Sequence, residues 1–251
     1  GYGTWLGVSD KFEFDATDLP RMVEALSYAI DIGYRHVDTA HVYRVEPEVG
    51  QIVNEKIKKG VIKREDIFIT TKVWQHFHRE GDVEVSLRGS LRRLNLDYVD
   101  LALLHWPMSV SQEGVDEKID YIDTWRGFEA VLAKGLTKGI GVSNLNLEQM
   151  KRLLANCKVK PAVNQIEYQR GLVIIPKTVT KERTLENASI FDFHLEKADV
   201  DEIAKFDNGF RTLRPIFYQE YTNYPFDKVE GKMDVPLSLR KWKNGAKFDI
   251  E

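Results

Sequence analysis

Short apolar runs rich in β-branched residues alternate along the chain with longer stretches whose apolar residues recur every three or four positions. The runs are Tyr2–Leu6, Arg35–Thr39, Ile67–Val73, Val99–His105, Gly139–Ser143, Ala162–Tyr168 and Leu172–Pro176. Near-continuous runs of this kind suit strands buried on both faces of a parallel sheet. Between them, Met22, Val23, Leu26, Ala29 and Ile30 mark one stripe of a helix, with Gly33 placed to cap its end. Val49, Ile52, Val53 and Ile57 repeat the pattern before Gly60, and Val83, Leu87, Leu91 and Leu94 repeat it again. Trp125, Phe128, Val131 and Leu132 precede Gly135, and Leu147, Met150, Leu153 and Leu154 form a fifth stripe. Strict strand–helix alternation predicts βαβ units and a parallel sheet. No G-x-G-x-x-G follows any strand, since Gly139-Ile-Gly141 breaks off after its second glycine. An open dinucleotide-binding sheet therefore has little support. The pattern favours a closed (β/α)8 barrel of the TIM type, one domain over residues 1–251.

One spacing breaks the alternation. Ala162–Tyr168 and Leu172–Pro176 are separated by only three residues, whereas parallel neighbours need a crossover of roughly a dozen or more. Gln169-Arg170-Gly171 is also a poor hairpin turn. A helix–strand–helix stretch is therefore expected to be absent between Gln169 and Arg170, which leaves seven of the eight strands. The tail, Pro215–Glu251, shows no clear period but holds Phe217, Tyr218, Tyr221, Tyr224, Phe226 and Trp242. It is expected to lie over the barrel mouth as a loop.

Composition excludes more than it assigns. Lys and Arg total 36 against 39 Asp and Glu, a net charge of −3, which shows no footprint for nucleic acid or a membrane surface. No apolar run approaches the length of a spanning helix. Cys157 is the only cysteine, so no internal disulfide can form. That fits a reducing, cytoplasmic compartment. Gly1 opens inside a strand, so any leader ahead of it is unread. A monomer acting on a small molecule is the expected form.

Active sites of such barrels lie at the C-terminal ends of the strands. The polar residues there are Asp38, Lys72, His105, Ser143 with Asn144, Asn164 with Gln165, and Lys177. Each alone reads as a structural hydrogen-bonder. Several titratable groups converging on one mouth read as a site. Lys72 is pointed, because a charge at the end of a buried strand needs a partner. His76-Phe-His78 with Glu80 has the look of a metal cluster, but in a loop after the third strand it is expected to be exposed and unliganded, and no metal is assigned.

Six motifs in order carry a resemblance. They are His36-Val-Asp-Thr-Ala40 with Tyr43, Thr70-Thr-Lys-Val-Trp74, Leu103-Leu-His-Trp-Pro107, Gly139-Ile-Gly-Val-Ser-Asn144, Val163-Asn-Gln-Ile-Glu167, and Ile175-Pro-Lys-Thr178 with Arg183 and Glu186-Asn187. Together they resemble the aldo-keto reductases, most closely the aldose-reductase-like branch. The resemblance implies NADPH-dependent reduction of aldehydes or ketones to alcohols by a tetrad of Asp38, Tyr43, Lys72 and His105. Tyr43 would be the general acid, and Lys72 would lower the pKa of its phenol, ordinarily about 10. Asp38 would hold Lys72, and His105 would orient the carbonyl oxygen. A histidine here, where some relatives carry glutamate, favours carbonyl over carbon–carbon double-bond reduction. For NADPH or NADP+ the resemblance implies Thr4, Asp38, Ser143, Asn144, Gln165, Lys177, Thr178, Arg183, Glu186 and Asn187. Of these, Lys177 and Arg183 suit a 2′-phosphate. Trp5, Tyr43, Trp74, His105 and Trp106 would line the substrate pocket. The aromatic that stacks on nicotinamide in relatives falls in the absent stretch. One departure is local: Arg44-Val-Glu46 follows Tyr43 where relatives often carry a small or polar residue. Two other readings compete, a cofactor-holding regulatory or structural barrel without turnover and a metal-dependent hydrolase built on His76 and His78.

Overall fold

A computed structural model describes residues 1–7, 16–166, 174–191, 194–206, 214–231 and 233–235. Among the described residues six parallel strands run in chain order across one sheet: β1 (Tyr2–Gly3), β2 (His36–Asp38), β3 (Phe68–Val73), β4 (Leu101–Leu104), β5 (Ile140–Ser143) and β6 (Asn164–Gln165). Each pairs only with its neighbours in sequence, as a sheet curling towards a barrel requires. The helices are α1 (Leu19–Asp31), α2 (Glu46–Lys58), α3 (Glu80–Leu94), α4 (Tyr121–Ala133), α5 (Leu147–Asn156), α6 (Lys181–Ala188) and α7 (Lys197–Ala204).

The five predicted stripes become α1 to α5, but in α5 only Leu153 is buried while Leu147 and Leu154 are exposed. Met22, Leu26 and Ile30 of α1 are fully buried, as are Val49 and Val53 of α2 and Val83, Leu87 and Leu94 of α3. Gly33, Gly60 and Gly135 follow α1, α2 and α4 with positive φ, where a side chain would strain the reversal. Asn95, at φ 52°, does the same for α3. The sequence pattern did not show α6 and α7. Thr184 is the only buried residue of α6 and α7 has none, so neither carries the apolar stripe that betrays a helix.

The strands are shorter than the apolar runs. β1 and β6 keep two residues each. Leu172–Pro176 does not form the expected strand within its described part. Ile174 to Pro176 are irregular, and the chain meets β1 through a single parallel bridge between Gly3 and Lys177. Pro176 has no N–H to donate, but its carbonyl accepts from the Gly3 N–H at 3.1 Å. The chain after β6 thus returns to the far edge of the sheet, beside β1, where a closing strand belongs. The junction between Gln169 and Arg170 lies outside the described residues.

Residues 216–218 form one 3-10 turn, and the chain beyond packs on the loop after β4 and the start of α5. Tyr221 OH donates to the Gly114 carbonyl, Gln149 Nε2 to the Asn223 carbonyl at 2.8 Å, and Asn146 Nδ2 to the Pro225 carbonyl at 3.1 Å. Trp242 lies outside the described residues.

Helix α2 approaches α3 with almost no space between backbones. A Cβ on Gly50 would stand 2.2 Å from the Leu94 carbonyl oxygen. Gly50→Ala is expected to cost about 2 kcal/mol or more through forced separation of the helices. Urea unfolding measures it, and an unchanged midpoint would rule out this docking.

Candidate active site

Strand β2 ends at Asp38, β3 carries Lys72 near its end, and His105 follows β4. Asp38 pairs with Thr70 and Lys72 with Leu103 in the ladders, so all three side chains belong to one mouth of the sheet. Tyr43 comes from the 3-10 turn His41–Tyr43 just after β2. Lys72 is 1% exposed. Its Nζ donates to Asp38 Oδ1 at 2.5 Å, to the Thr39 carbonyl at 3.0 Å and to Tyr43 OH at 3.1 Å. An ammonium has three hydrogens to give, and each has a partner.

Gln165 Nε2 holds the other Asp38 oxygen at 2.8 Å. Thr4 donates to the Asp38 carbonyl twice, from its N–H at 3.1 Å and its hydroxyl at 3.0 Å. Ser143 Oγ donates to the Gln165 carbonyl at 2.8 Å. Asn144, at φ 62°, donates from Nδ2 to the His105 carbonyl at 3.0 Å and to Ser143 Oγ at 3.1 Å. One continuous network therefore joins Thr4, Asp38, Tyr43, Lys72, Ser143, Asn144, Gln165 and the His105 backbone.

The phosphate-type residues form a second group. Lys177 is exposed beside β1, and Thr178 is buried with its carbonyl accepting from Tyr2 OH at 2.7 Å. Arg183, Glu186 and Asn187 share a face of α6 at spacings of three and four. Arg183 and Glu186 are exposed and Asn187 is half-buried. Helix α6 packs on the α1 side of the barrel, where Tyr34 OH donates to the Thr184 carbonyl at 3.1 Å. The Gly3–Lys177 bridge places this group next to Thr4.

Aromatic rings wall the first group. Trp5 lies 5.0 Å from Tyr43 and Trp74 5.2 Å from His105, between ring centroids. His105 meets the Tyr43 ring edge-on at 5.7 Å and stacks on Trp106 at 6.5 Å. Phe226 from the tail meets Trp106 edge-on at 5.8 Å. The tail's aromatic content was visible in the sequence, but no local signal singled out Phe226, since its position depends on the two amides of α5.

Burial pulls the Lys72 ammonium down, but Asp38 and Tyr43 outweigh it and the net shift is upward. Tyr43 corrects an expectation. Burial disfavours the phenolate more than Lys72 favours it, so its pKa is raised above 10.0. Burial, then Lys72, holds His105 well below 6.5, as a neutral imidazole. Its Nδ1 is buried without a hydrogen-bond partner among the described residues. His76 and His78 also depart from expectation, being 5% and 0% exposed because the loop after β3 folds inwards. Burial pushes His78 down to about 3. Among the described residues no group of three or more His, Cys, Asp or Glu could hold a metal ion, and no helix is long and apolar enough to cross a membrane.

Comparisons with known proteins give this β/α barrel its class, the oxidoreductases. The profile described as "Aldo/keto reductase family" matches residues 1–170. The chain is similar to the crystal structure of aldo-keto reductase AKR2E5 of the silkworm, Bombyx mori, at 56% identity, covering 98% of this chain and 94% of that one with a TM-score of 0.91. That enzyme is also known complexed with NADPH. This chain is 31% identical to Bombyx mori AKR2E4 over 280 residues, 85% of this chain and 90% of the relative. It is equally 31% identical to Rattus norvegicus aldo-keto reductase family 1 member C18, over 82% and 89%. The chain belongs to the aldo/keto reductase family. The AKR2E4 alignment is longer than the 251 residues of this chain, so the relative carries internal residues that this chain lacks, as an absent stretch requires.

The buried neutral imidazoles set a pH dependence. His41, His78 and His105 have pKa values below 6.5 when folded. Unfolding therefore takes up protons below that pH, and their contribution to stability, present above pH 6.5, is lost as pH falls. Stability should fall steadily from about pH 6.5 downwards, each imidazole adding up to about 1.4 kcal/mol per pH unit. Urea midpoints at neutral and acid pH test this, and a flat profile would refute it.

Proposed function

We propose that this chain reduces aldehydes or ketones to alcohols with NADPH, using Tyr43 as general acid. The observation that carries the reading is the buried Lys72 ammonium, 2.5 Å from Asp38 and 3.1 Å from the Tyr43 hydroxyl beside a neutral His105.

The residues fit the cofactor. Ser143, Asn144 and Gln165 present a hydroxyl and two amides at the mouth, the groups that a nicotinamide carboxamide binds. Lys177 and Arg183 are exposed, and their cationic groups suit a 2′-phosphate. Thr4, Thr178, Glu186 and Asn187 complete the site along β1 and α6. Similarity to a silkworm aldo-keto reductase crystallised with NADPH supports the same assignment. When bound, the dihydronicotinamide supplies a hydride to the carbonyl carbon.

The side chains do the rest. The carbonyl oxygen gains negative charge and takes the proton of Tyr43. Burial keeps that proton on the phenol at neutral pH. As it leaves, Lys72 stabilises the developing phenolate at 3.1 Å, without rearrangement. Asp38 keeps the ammonium charged and fixed. His105, being neutral, donates to the carbonyl oxygen and orients it without competing as a stronger acid. Trp5, Trp74 and Trp106 enclose an apolar substrate and exclude water. The protein acts as a single-domain cytoplasmic monomer, with residues 215–231 as the loop over the mouth; residues 236–251 of that tail lie outside the described residues.

Tyr43→Phe should lower kcat by about 100-fold or more while leaving NADPH binding intact. NADPH absorbance and fluorescence quenching measure the two quantities, and near-normal turnover would remove Tyr43 as the acid. Lys177→Met should weaken NADPH by about tenfold or more with little effect on NADH. Equal losses in titrations of both cofactors would dismiss the 2′-phosphate role.

A further inference from the structure

We propose that Glu46 is a positioning residue for the reaction, tying the turn that bears Tyr43 to the strand that bears Lys72. The inference rests on the reading of Tyr43 and Lys72 given above.

Glu46 is a carboxylate with 0% exposure. Both of its oxygens are used. Oε1 accepts from Thr71 Oγ1 at 2.6 Å and Oε2 accepts from Arg93 Nε at 2.8 Å. Arg93 is steadied by Ser90, whose Oγ accepts from Nη2 at 3.1 Å. A buried charge is tolerated only where its partners are complete, so these contacts hold Glu46 to one place. Thr71 directly precedes Lys72 on β3. Successive strand side chains point to opposite faces. Lys72 therefore reaches Tyr43 from the inner face, while Thr71 reaches Glu46 from the helix-covered face.

Tyr43 lies three residues before Glu46. The backbone between them passes through Arg44 at φ 59° and leads into α2 at Val45. A non-glycine residue there is strained and persists only where its surroundings impose it. The helix entry has no side-chain cap of its own. What holds it is a stripe on α2 at successive turns: Glu46, Gly50 and Asn54. Gly50 closes against Leu94, and Asn54 Nδ2 reaches the carbonyls of Leu94 at 3.1 Å and Asn95 at 3.2 Å. Glu46 is the end of that stripe nearest the site. It closes the segment Arg44-Val-Glu46, to which the sequence alone assigned no role.

The test uses the full chain with Glu46→Gln, which keeps the volume and can still accept from Thr71. Thr71→Val serves as the milder second variant, removing only the hydroxyl. Two readouts are taken. One is reduction of benzaldehyde by NADPH, with kcat, KM, the solvent isotope effect and NADPH binding by fluorescence quenching. The other needs no turnover: the NMR signal and titration of Tyr43, with tyrosine labelled at Cζ and the signal assigned by its loss in Tyr43→Phe. We expect Glu46→Gln to lower kcat about tenfold or more, with KM and NADPH Kd changed less than about threefold. We expect a larger solvent isotope effect and a displaced Tyr43 signal, with Thr71→Val changing both in the same direction and less. An unmoved Tyr43 signal in folded Glu46→Gln overturns the proposal, as does a kcat that falls only with the folded fraction. If the unaltered chain fails to reduce carbonyl compounds, the reductase reading fails on its own, and the Tyr43 signal still decides the role of Glu46.

Discussion

A single desolvated ammonium governs the arrangement of the site. Lys72 is buried from bulk solvent, and the protein supplies three acceptors within 3.1 Å. All three come from β2 and the turn that follows it. The register of β2 on β3, the path of residues 39–43 and the direction of the Tyr43 hydroxyl are therefore settled by one charge. Losing Asp38 would leave the buried ammonium without its counter-charge, at a cost of several kcal/mol. The Asp38 carboxylate spreads the constraint, since its second oxygen holds Gln165 on β6, at the other side of the sheet.

A second buried charge works from the other face of the same strand. Glu46, Arg93 and Thr71 lie between sheet and helices, whereas Asp38, Tyr43 and Lys72 lie at the mouth. The alternation of side chains along β3 lets Thr71 and Lys72 grip the β2–α2 connection from its two sides. Burial acts on both networks in opposite senses. It stiffens the ion pairs, and it keeps the Tyr43 phenol and the His105 imidazole in their neutral forms. A protonated phenol beside a fixed cation, with a neutral hydrogen-bond donor opposite, suits delivery of a proton to an oxygen that is gaining charge.

Much of this was legible in the chain. The stripes of α1 to α4 follow from a period of 3.6 written in buried side chains such as Met22, Leu26 and Ile30, whereas α5 buries only Leu153 of its stripe. Asp38, Lys72 and His105 stood out because polar residues ended apolar runs. The polar helices α6 and α7 were invisible to the same reading, since they bury almost nothing. His76 and His78 were misjudged because a loop's burial depends on what folds over it, here the stretch around Trp106 and Thr124, whose hydroxyl donates to the His78 carbonyl at 2.8 Å. The shift of Tyr43 was misjudged in sign because the nearby cation could be anticipated and the depth of burial could not.

The amino-acid order by itself determined the alternation of strands and helices, the parallel sheet, the polar residues at the strand ends and the shortness of the link after β6. These are local properties, set by side-chain period and by the reach of a few residues of backbone. Only the tertiary structure decided that Gln165 meets Asp38 across 127 positions, that Phe226 covers Trp106, that the chain at Lys177 returns beside β1, and that Glu46 is buried against Arg93. Such contacts depend on how the sheet curls and where the helices dock. Both are outcomes of packing the whole chain at once, and no short window of residues encodes them.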